Sequence, residues 1–173
     1  NDAMFYMQKK YPYLHVFINA CKVMYMPIWP SEICSTMCVD EHNNLWINMR
    51  YVYVDCAMNR DRVFGILFHE MFHIFLEHLL RFNKMFPNEV KSSMTAGVWK
   101  TAQEKANFAM DYEINASMVA DGIVSDDFWD IMNGLYKKEY TGKTWEEIYN
   151  KYVDKDYREW LEHNGERISE AEM

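Results

Sequence analysis

The sequence predicts an α+β fold in which a small, mostly antiparallel sheet packs on a central helix and on a second buried helix. Residues 61–82 are apolar on nearly every side of a helix, residues 45–54 begin with the alternation of a half-buried strand, and residues 99–120 form a second apolar helix. Half of the 173 residues are hydrophobic and 16% are aromatic, which is typical of a globular domain. We assign residues 1–153 to a single domain and residues 154–173 to a charged tail that is partly helical or frayed.

The first segments predict a helix followed by a β-hairpin. Residues 13–26 are mostly apolar and are bounded by prolines on both sides, so we expect them to form a helix. Residues 33–39 and 45–54 have the composition of strands. The polar residues 40–44 between them favour a turn, so the two strands are expected to pair as a hairpin.

The longest apolar run predicts one continuous helix from about Asp61 to Phe82. Asn59 or Asp61 can cap its N-terminus with a side-chain oxygen. A helix that is apolar on nearly every side is expected to run through the centre of a domain. Five ionisable side chains interrupt the run between Val63 and Leu80, so it is not predicted to cross a membrane.

The second half of the chain predicts further helices. Residues 84–98 are expected to be a loop or a short helix, and residues 121–143, which contain three glycines, are expected to be irregular or a short helix. A capping box begins at Thr144, whose hydroxyl can accept from the Glu147 amide. It predicts a helix through about Val153.

Charge and cysteine usage limit the partners and the compartment. The chain has 18 basic and 26 acidic residues and no Lys/Arg cluster, so we expect neither nucleic acid nor a membrane as a partner. Cys34 and Cys38 are expected on one extended segment, about 13 Å apart, which is too far for a disulfide. Four free thiols are typical of a reducing compartment, so a cytoplasmic location is predicted.

The sequence His69-Glu70-Met71-Phe72-His73 is an H-E-x-x-H motif in the middle of the predicted long helix. Residues four apart lie one turn apart and differ by about 40° around the helix axis, so both imidazoles can bind one ion. Glu70 lies to the side, where it can take a proton from a water bound to that ion. The motif predicts zinc-dependent amide hydrolysis, with His69 and His73 as metal ligands and Glu70 as the catalytic base.

A catalytic zinc needs a third protein ligand, and Asp111 is the preferred candidate. Asn107, Asp111 and Asn115 form a polar stripe on an otherwise apolar helix, although a hydrogen-bond network or an exposed face would give the same stripe. His78 lies about 140° around a continuous helix from His73 and can bind the same ion only if the helix breaks between them. Nothing in the intervening residues predicts a break. The further alternatives are Glu104 and Glu113.

Three segments in order carry a resemblance to a known family: FHEMFHIFLEHLLR, NFAMDYEIN and GKTWEEIY. Over roughly residues 11–153 the chain resembles the metallopeptidase-domain family encoded beside von Willebrand factor A-like proteins and AAA-type ATPases. That family is similar to the zincins and carries a further histidine five residues past its H-E-x-x-H motif, here His78. A weaker similarity to the glutamate helix of regulator-cleaving peptidases keeps Glu104 as an alternative ligand.

The resemblance implies a zincin-like fold, a protein or peptide substrate, and an AAA-type ATPase or a von Willebrand factor A-like protein as a partner. In such folds an edge strand beside the metal holds extended peptide by backbone pairing, and residues 45–51 are the candidate here. The predicted function is therefore that of a zinc metallopeptidase. The alternatives are a catalytically silent, metal-stabilised module for protein interaction, a hydrolase acting on a non-peptide amide, and a metal-free structural protein. Glu70 favours an enzyme, because a purely structural site needs no base.

Overall fold

The computed structural model describes residues 5, 8–26 and 34–172, and within these ranges all side chains except those of residues 14, 15, 17, 18 and 165–172. The chain divides into two compact units. Unit 1 contains Asn1–Lys84 and Met118–Gly134, and unit 2 contains Met85–Ser117 and Leu135–Met173. The elements in chain order are α1 (Pro12–Ala20), β1 (Lys22–Met26), β2 (Met37–Val39), β3 (Asn44–Asn48), α2 (Met49–Tyr53), α3 (Arg60–Phe75), α4 (His78–Met85), α5 (Asn88–Ser93), α6 (Ala96–Ala120), α7 (Phe128–Ile131), a 3-10 turn (Lys138–Tyr140), α8 (Trp145–Lys151) and α9 (Val153–Glu172).

The sheet of unit 1 has three strands in the order β1-β3-β2. β1 runs parallel to β3 in a register that pairs Lys22 with Asn44, and β2 runs antiparallel to β3 and pairs Met37 with Ile47. The sheet is therefore mixed, and the prediction of a mostly antiparallel sheet was wrong. The error lies in residues 13–26, since only Pro12–Ala20 is helical and Lys22–Met26 forms the parallel strand.

The predicted hairpin is confirmed as the β2–β3 pair, and Asp40 organises its turn. The Asp40 carboxylate accepts hydrogen bonds from the His42 amide at 2.8 Å, from the Asn44 amide at 2.9 Å and from the Trp46 indole at 2.9 Å. Asn43 closes the turn with a φ of 58°, a left-handed conformation that Asn tolerates better than most residues.

The second strand of the hairpin is shorter than predicted because a helix begins inside the segment 45–54. The Asn48 side chain accepts hydrogen bonds from the amides of Arg50 and Tyr51, at 3.0 and 3.4 Å. An asparagine with extended backbone in this role caps a helix N-terminus, and α2 starts at Met49.

The helix of the H-E-x-x-H motif is α3, which starts after the predicted cap, Asn59. The Asn59 side chain accepts from the amides of Asp61 and Arg62, at 2.9 and 3.1 Å. Along the helix the rings of Phe64, Phe68 and Phe72 follow one another at centroid distances of 5.7 and 4.8 Å. The core of unit 1 thus holds α3 by aromatic packing as well as by its apolar contacts.

The prediction of one helix from Asp61 to Phe82 was wrong at its C-terminal end. α3 ends at Phe75, and α4 begins at His78 after Glu77, which has a φ of 53°. Within the described residues no single helix is long and apolar enough to cross a membrane, although α3 and α4 together reach that length and composition across a bend of 49°.

Unit 2 is built from helices. Trp145 and Ile148 of α8 are fully buried, as are Ala106 and Ala109 of α6. The predicted cap of α8 is confirmed, since the Thr144 side chain accepts from the Glu147 amide at 3.3 Å. Residues 153–172, most of which were predicted to be a partly helical or frayed tail, form α9.

Candidate metal centre

The motif residues lie in the most buried part of α3. Nine consecutive residues, 64–72, are buried, and His69 and Glu70 expose only 8% and 9% of their surface. A helix that is apolar on nearly every side produces this burial. Imidazole and carboxylate groups in such surroundings need polar partners or an ion, because leaving water without compensation costs several kcal/mol, on the order of 2–7 for a neutral polar group.

The two histidines of the motif aim ring nitrogens at each other. Nε2 of His69 lies 3.1 Å from Nε2 of His73. Two nitrogens bound to one tetrahedral zinc, each at about 2.0–2.1 Å, lie about 3.3 Å apart. The observed separation therefore suits two ligands of one ion and, without an ion, an N–H···N hydrogen bond.

Asp111, the preferred third ligand, is half-buried on α6. It belongs to unit 2, whereas His69 and His73 belong to unit 1. Its role as a ligand beside the two histidines therefore stays a prediction.

The neighbours of Asp111 in the polar stripe differ in their surroundings. Asn115 is buried, and its side-chain amide donates to the carbonyl of Leu135 at 2.7 Å. Asn107 is exposed. The stripe therefore combines an internal hydrogen bond, a half-buried carboxylate and a solvated side chain, so its regular spacing does not reflect a single role.

The other candidates for the third ligand contact other groups. Glu104 accepts a hydrogen bond from the Tyr157 hydroxyl. Glu113 is buried and accepts from the backbone amide of Trp145 at 3.1 Å, at the start of α8. His78 places its Nδ1 2.9 Å from Nδ1 of His73. The expectation that His78 faces away from His73 was wrong, because the helix breaks after Phe75.

A pair of aromatic residues on α7 packs beside His69. A Cβ on Gly65 would lie 2.3 Å from Cζ of Phe128, so only a glycine leaves room for that ring. Trp129 follows, and its ring centroid lies 5.5 Å from that of His69. Gly65 therefore makes a packing contact with a phenyl ring.

Two residues outside the motif lie within the electrostatic reach of Glu70. Burial is the largest cause of the raised pKa of Tyr51 on α2, and the charge of Glu70 contributes to it. The pKa of Cys38 on β2 is raised well above its ordinary value by its hydrogen bond with Cys34, then by burial, and further by charges that include Glu70. Of the two elements, β2 packs against α3.

The thiols of Cys34 and Cys38 contact each other, and the prediction that they lie about 13 Å apart was wrong. Cys34 precedes β2 and is followed by a bend at Ser35 and Thr36, so the segment is not extended throughout. The hydrogen bond from Cys38 lowers the pKa of Cys34 to about 7, against the opposing effect of burial. All four cysteines are free thiols.

Sequence reasoning missed Trp129, Tyr51 and Cys38 as neighbours of the motif. Each approaches α3 from a segment remote in sequence, so no local spacing reveals it. The signals that were available are Gly65 and Gly134, because glycines within or beside buried segments mark places where another ring comes close. A Cβ on Gly134 would lie 2.4 Å from Cε3 of Trp129.

The prediction that residues 45–51 include a peptide-binding edge strand was wrong. Residues 45–51 were predicted to include an edge strand, but β3 has β1 on one side and β2 on the other. Its backbone groups are already used in the sheet over Asn44–Asn48, so an added peptide cannot pair there. In the described sheet the outer strands are β1 and β2, and β2 packs against α3.

A family model described as "Putative metallopeptidase domain" matches residues 1–172, which include α3 with its H-E-x-x-H motif and α6 with Asp111. No curated protein and no solved structure gives a significant match to the chain.

Proposed function

This chain belongs to the family described as "Putative metallopeptidase domain", and from that premise we propose that it is a zinc-dependent peptidase of zincin-like fold. The observation that carries the proposal is the 3.1 Å approach of the Nε2 atoms of His69 and His73 on one helix, with Glu70 next to His69 in the chain. A family match alone would suggest a hydrolase. The two imidazoles, with Asp111 as the proposed third ligand, add a set of metal-binding side chains that can generate the nucleophile for hydrolysis.

The donor set favours zinc among the common metals. Two imidazoles and one carboxylate are ligands that catalytic zinc sites use, and three protein ligands leave a position open for water or substrate. The 3.1 Å separation of the two Nε2 atoms supports their binding one ion. When bound, zinc would act as a Lewis acid that polarises the scissile carbonyl and makes a water molecule more acidic.

Glu70 is the proposed general base. As the attacking water forms a C–O bond to the carbonyl carbon, the Glu70 carboxylate accepts its proton. When the C–N bond breaks, Glu70 gives that proton to the leaving amine. Its position on a buried stretch of α3 limits competing water, which strengthens its interaction with the reacting groups.

The substrate class that the sheet favours is an extended peptide. Among the described residues β2 pairs with β3 alone, so no further strand pairs with the outer edge of Met37–Val39, where the Met37 carbonyl accepts from the Thr36 hydroxyl. A peptide can add to such an edge as a further strand. Because β2 packs against α3 and Cys38 lies within the electrostatic reach of Glu70, this edge would bring a scissile bond toward the base.

The test is the substitution Glu70→Gln, with Glu89→Gln as its matched control. Glu89 is exposed on α5 and is not part of the motif. We expect wild-type protein with zinc to cleave peptides in a proteome-derived library, detected by mass spectrometry. Glu70→Gln should reduce the cleavage rate at least about 100-fold while the zinc content stays unchanged, and Glu89→Gln should cleave at the wild-type rate.

Other outcomes separate the alternatives. Zinc binding without cleavage by the wild type would favour the metal-stabilised interaction module. Cleavage of small amides but not of peptides would favour a non-peptide hydrolase. Equal cleavage by wild type and Glu70→Gln would refute the assigned base.

A further inference from the structure

The break between α3 and α4 brings His78 back to the motif. On a continuous helix, residues five apart differ by about 140° around the axis and lie about 7.5 Å apart along it, so their rings would diverge. Here the bend of 49° after Phe75 lets the rings of His73 and His78 approach to a centroid distance of 5.0 Å.

The break is a built feature of the chain. Glu77 adopts a left-handed φ of 53°, which costs about 1 kcal/mol or more for a residue with a Cβ and persists only where the surroundings require it. The Arg81 guanidinium donates to the carbonyl of Leu76 at 3.1 Å, and the Arg81 amide donates to the carbonyl of Glu77 at 2.9 Å. These contacts satisfy carbonyl groups at the end of α3 and hold the two helices in the bent arrangement.

The two nitrogens of the His73 ring face different partners. Nε2 of His73 lies 3.1 Å from Nε2 of His69, whereas Nδ1 of His73 lies 2.9 Å from Nδ1 of His78. An ion held by His69 and His73 through their Nε2 atoms is therefore on the other side of the His73 ring from His78. In this arrangement His78 cannot be a ligand of that ion.

We propose that His78 is a positioning residue, which accepts the Nδ1–H of His73 and thereby keeps the His73 Nε2 atom unprotonated, with its lone pair directed to the metal. This inference rests on the proposed function. A neutral imidazole has one N–H, and a hydrogen bond at one nitrogen decides which nitrogen carries it. Metal-binding histidines commonly donate their second ring nitrogen to a carboxylate or a carbonyl, and here an imidazole takes that position.

The burial of His78 makes this hydrogen bond effective. His78 is 2% exposed, so water does not compete with the contact. The bond fixes both the tautomer and the orientation of the His73 ring before the ion arrives. Losing such an outer partner typically lowers metal affinity about 10–100-fold, whereas losing a ligand removes far more.

The test measures zinc affinity by competition with a chromophoric chelator, using His78→Leu, His78→Asn and His73→Ala. Asparagine can place an amide oxygen near the position of the His78 Nδ1, so His78→Asn should bind zinc within about threefold of wild type. His78→Leu removes the acceptor and should bind about 10–100-fold more weakly. The exposed His42, substituted as His42→Leu, is the matched control and should leave affinity unchanged.

Two results would overturn the assignment. Wild-type affinity in His78→Leu would show that the contact does not support His73. Loss of zinc in His78→Asn as complete as in His73→Ala would make His78 a ligand. Because His78→Leu places an apolar side chain at a buried position, its thermal unfolding is measured in parallel, and His78→Asn keeps the test decisive if His78→Leu does not fold.

A spectroscopic readout separates this inference from the proposed function. In ¹⁵N-labelled protein, a scalar coupling across the hydrogen bond between Nδ1 of His73 and Nδ1 of His78 is expected with and without zinc. If the wild type binds no zinc, the proposed function fails. The coupling in the metal-free protein then still decides whether His78 holds the His73 ring, and its absence would overturn that contact as well.

Discussion

The substitution Gly65→Ala tests how tightly Phe128 and Trp129 pack against α3 beside His69. A Cβ at this position would lie 2.3 Å from Cζ of Phe128 and 2.8 and 2.9 Å from its Cε atoms. Ordinary contact begins near 3.4 Å, so the ring must retreat by about 1 Å. Phe128 is buried and its neighbour Trp129 closely covers Gly134, so the pair has little room to move.

The expected magnitude follows from two opposing effects. Overpacking a tight core costs about 1–3 kcal/mol, and an approach this short belongs at the upper end. Alanine in place of glycine inside a helix returns about 1 kcal/mol. We therefore expect Gly65→Ala to lower the free energy of unfolding by about 2 kcal/mol, which corresponds to a fall in Tm of about 4–8 °C. Displacement of Trp129 from His69 should also weaken zinc binding.

Thermal unfolding followed by circular dichroism checks this prediction, with Gly97→Ala as the matched control. A Cβ on Gly97, also in a helix, meets nothing within 4 Å, so that variant should gain about 0.5–1 kcal/mol. Phe128→Leu should be less destabilising in the Gly65→Ala background than in the wild type, because the smaller side chain relieves the clash. If Gly65→Ala is as stable as Gly97→Ala, the packing argument is refuted.

Two further predictions concern titrating groups. Because the pKa of Cys34 is lowered to about 7, its thiolate forms as the pH rises through 7. The rate of its alkylation by iodoacetamide, followed by mass spectrometry, should therefore be half-maximal near pH 7. A midpoint near pH 9 would contradict this prediction. Burial alone would raise the pKa of Asp40, but hydrogen bonds from Trp46, Asn44 and backbone amides lower it far below its usual range. Its contribution to stability is present above the unfolded pKa and is lost as the pH falls toward the folded value, so Asp40→Ala should cost about 1–2 kcal/mol at pH 7. Denaturant titrations at several pH values should show that this difference shrinks below pH 4, and a difference independent of pH would contradict it.

The sequence was sufficient for the features that local chemistry determines. Asn59 and Thr144 were identified as helix caps from their side chains, and both accept the expected amides. The helical position of the H-E-x-x-H motif followed from the apolar run around it. The choice of Asp111 as the third ligand, drawn from the four-residue spacing of the polar side chains at 107, 111 and 115, stays a prediction.

The predictions that were wrong concern features that depend on contacts remote in sequence or on an uncommon backbone conformation. Residues 22–26 form a strand because β3, more than 20 residues away in sequence, pairs with them in parallel, and their own apolar pattern suits a helix equally well. At the break after Phe75, Glu77 has a left-handed backbone conformation. The segment contains no glycine or proline from which a break could be predicted. That single residue decides whether His78 faces the site or turns away.

The placement of Trp129 beside His69 could not be derived either. It requires α7 to approach α3 through the space that Gly65 leaves. A glycine in an apolar helix indicates that something comes close, but not which segment does so. The composition of residues 121–143 gave no pattern from which this packing could be read.

The central claim is that His69, His73 and Asp111 hold one zinc ion. Elemental mass spectrometry of purified protein tests it most directly, on the wild type beside His73→Ala and Asp111→Ala, with exposed Asp126→Ala as the control. We predict about one zinc per chain in the wild type and in Asp126→Ala, and little in the other two variants. A wild-type protein that takes up no metal when zinc is supplied, or an Asp111→Ala variant that keeps its zinc, would contradict the claim.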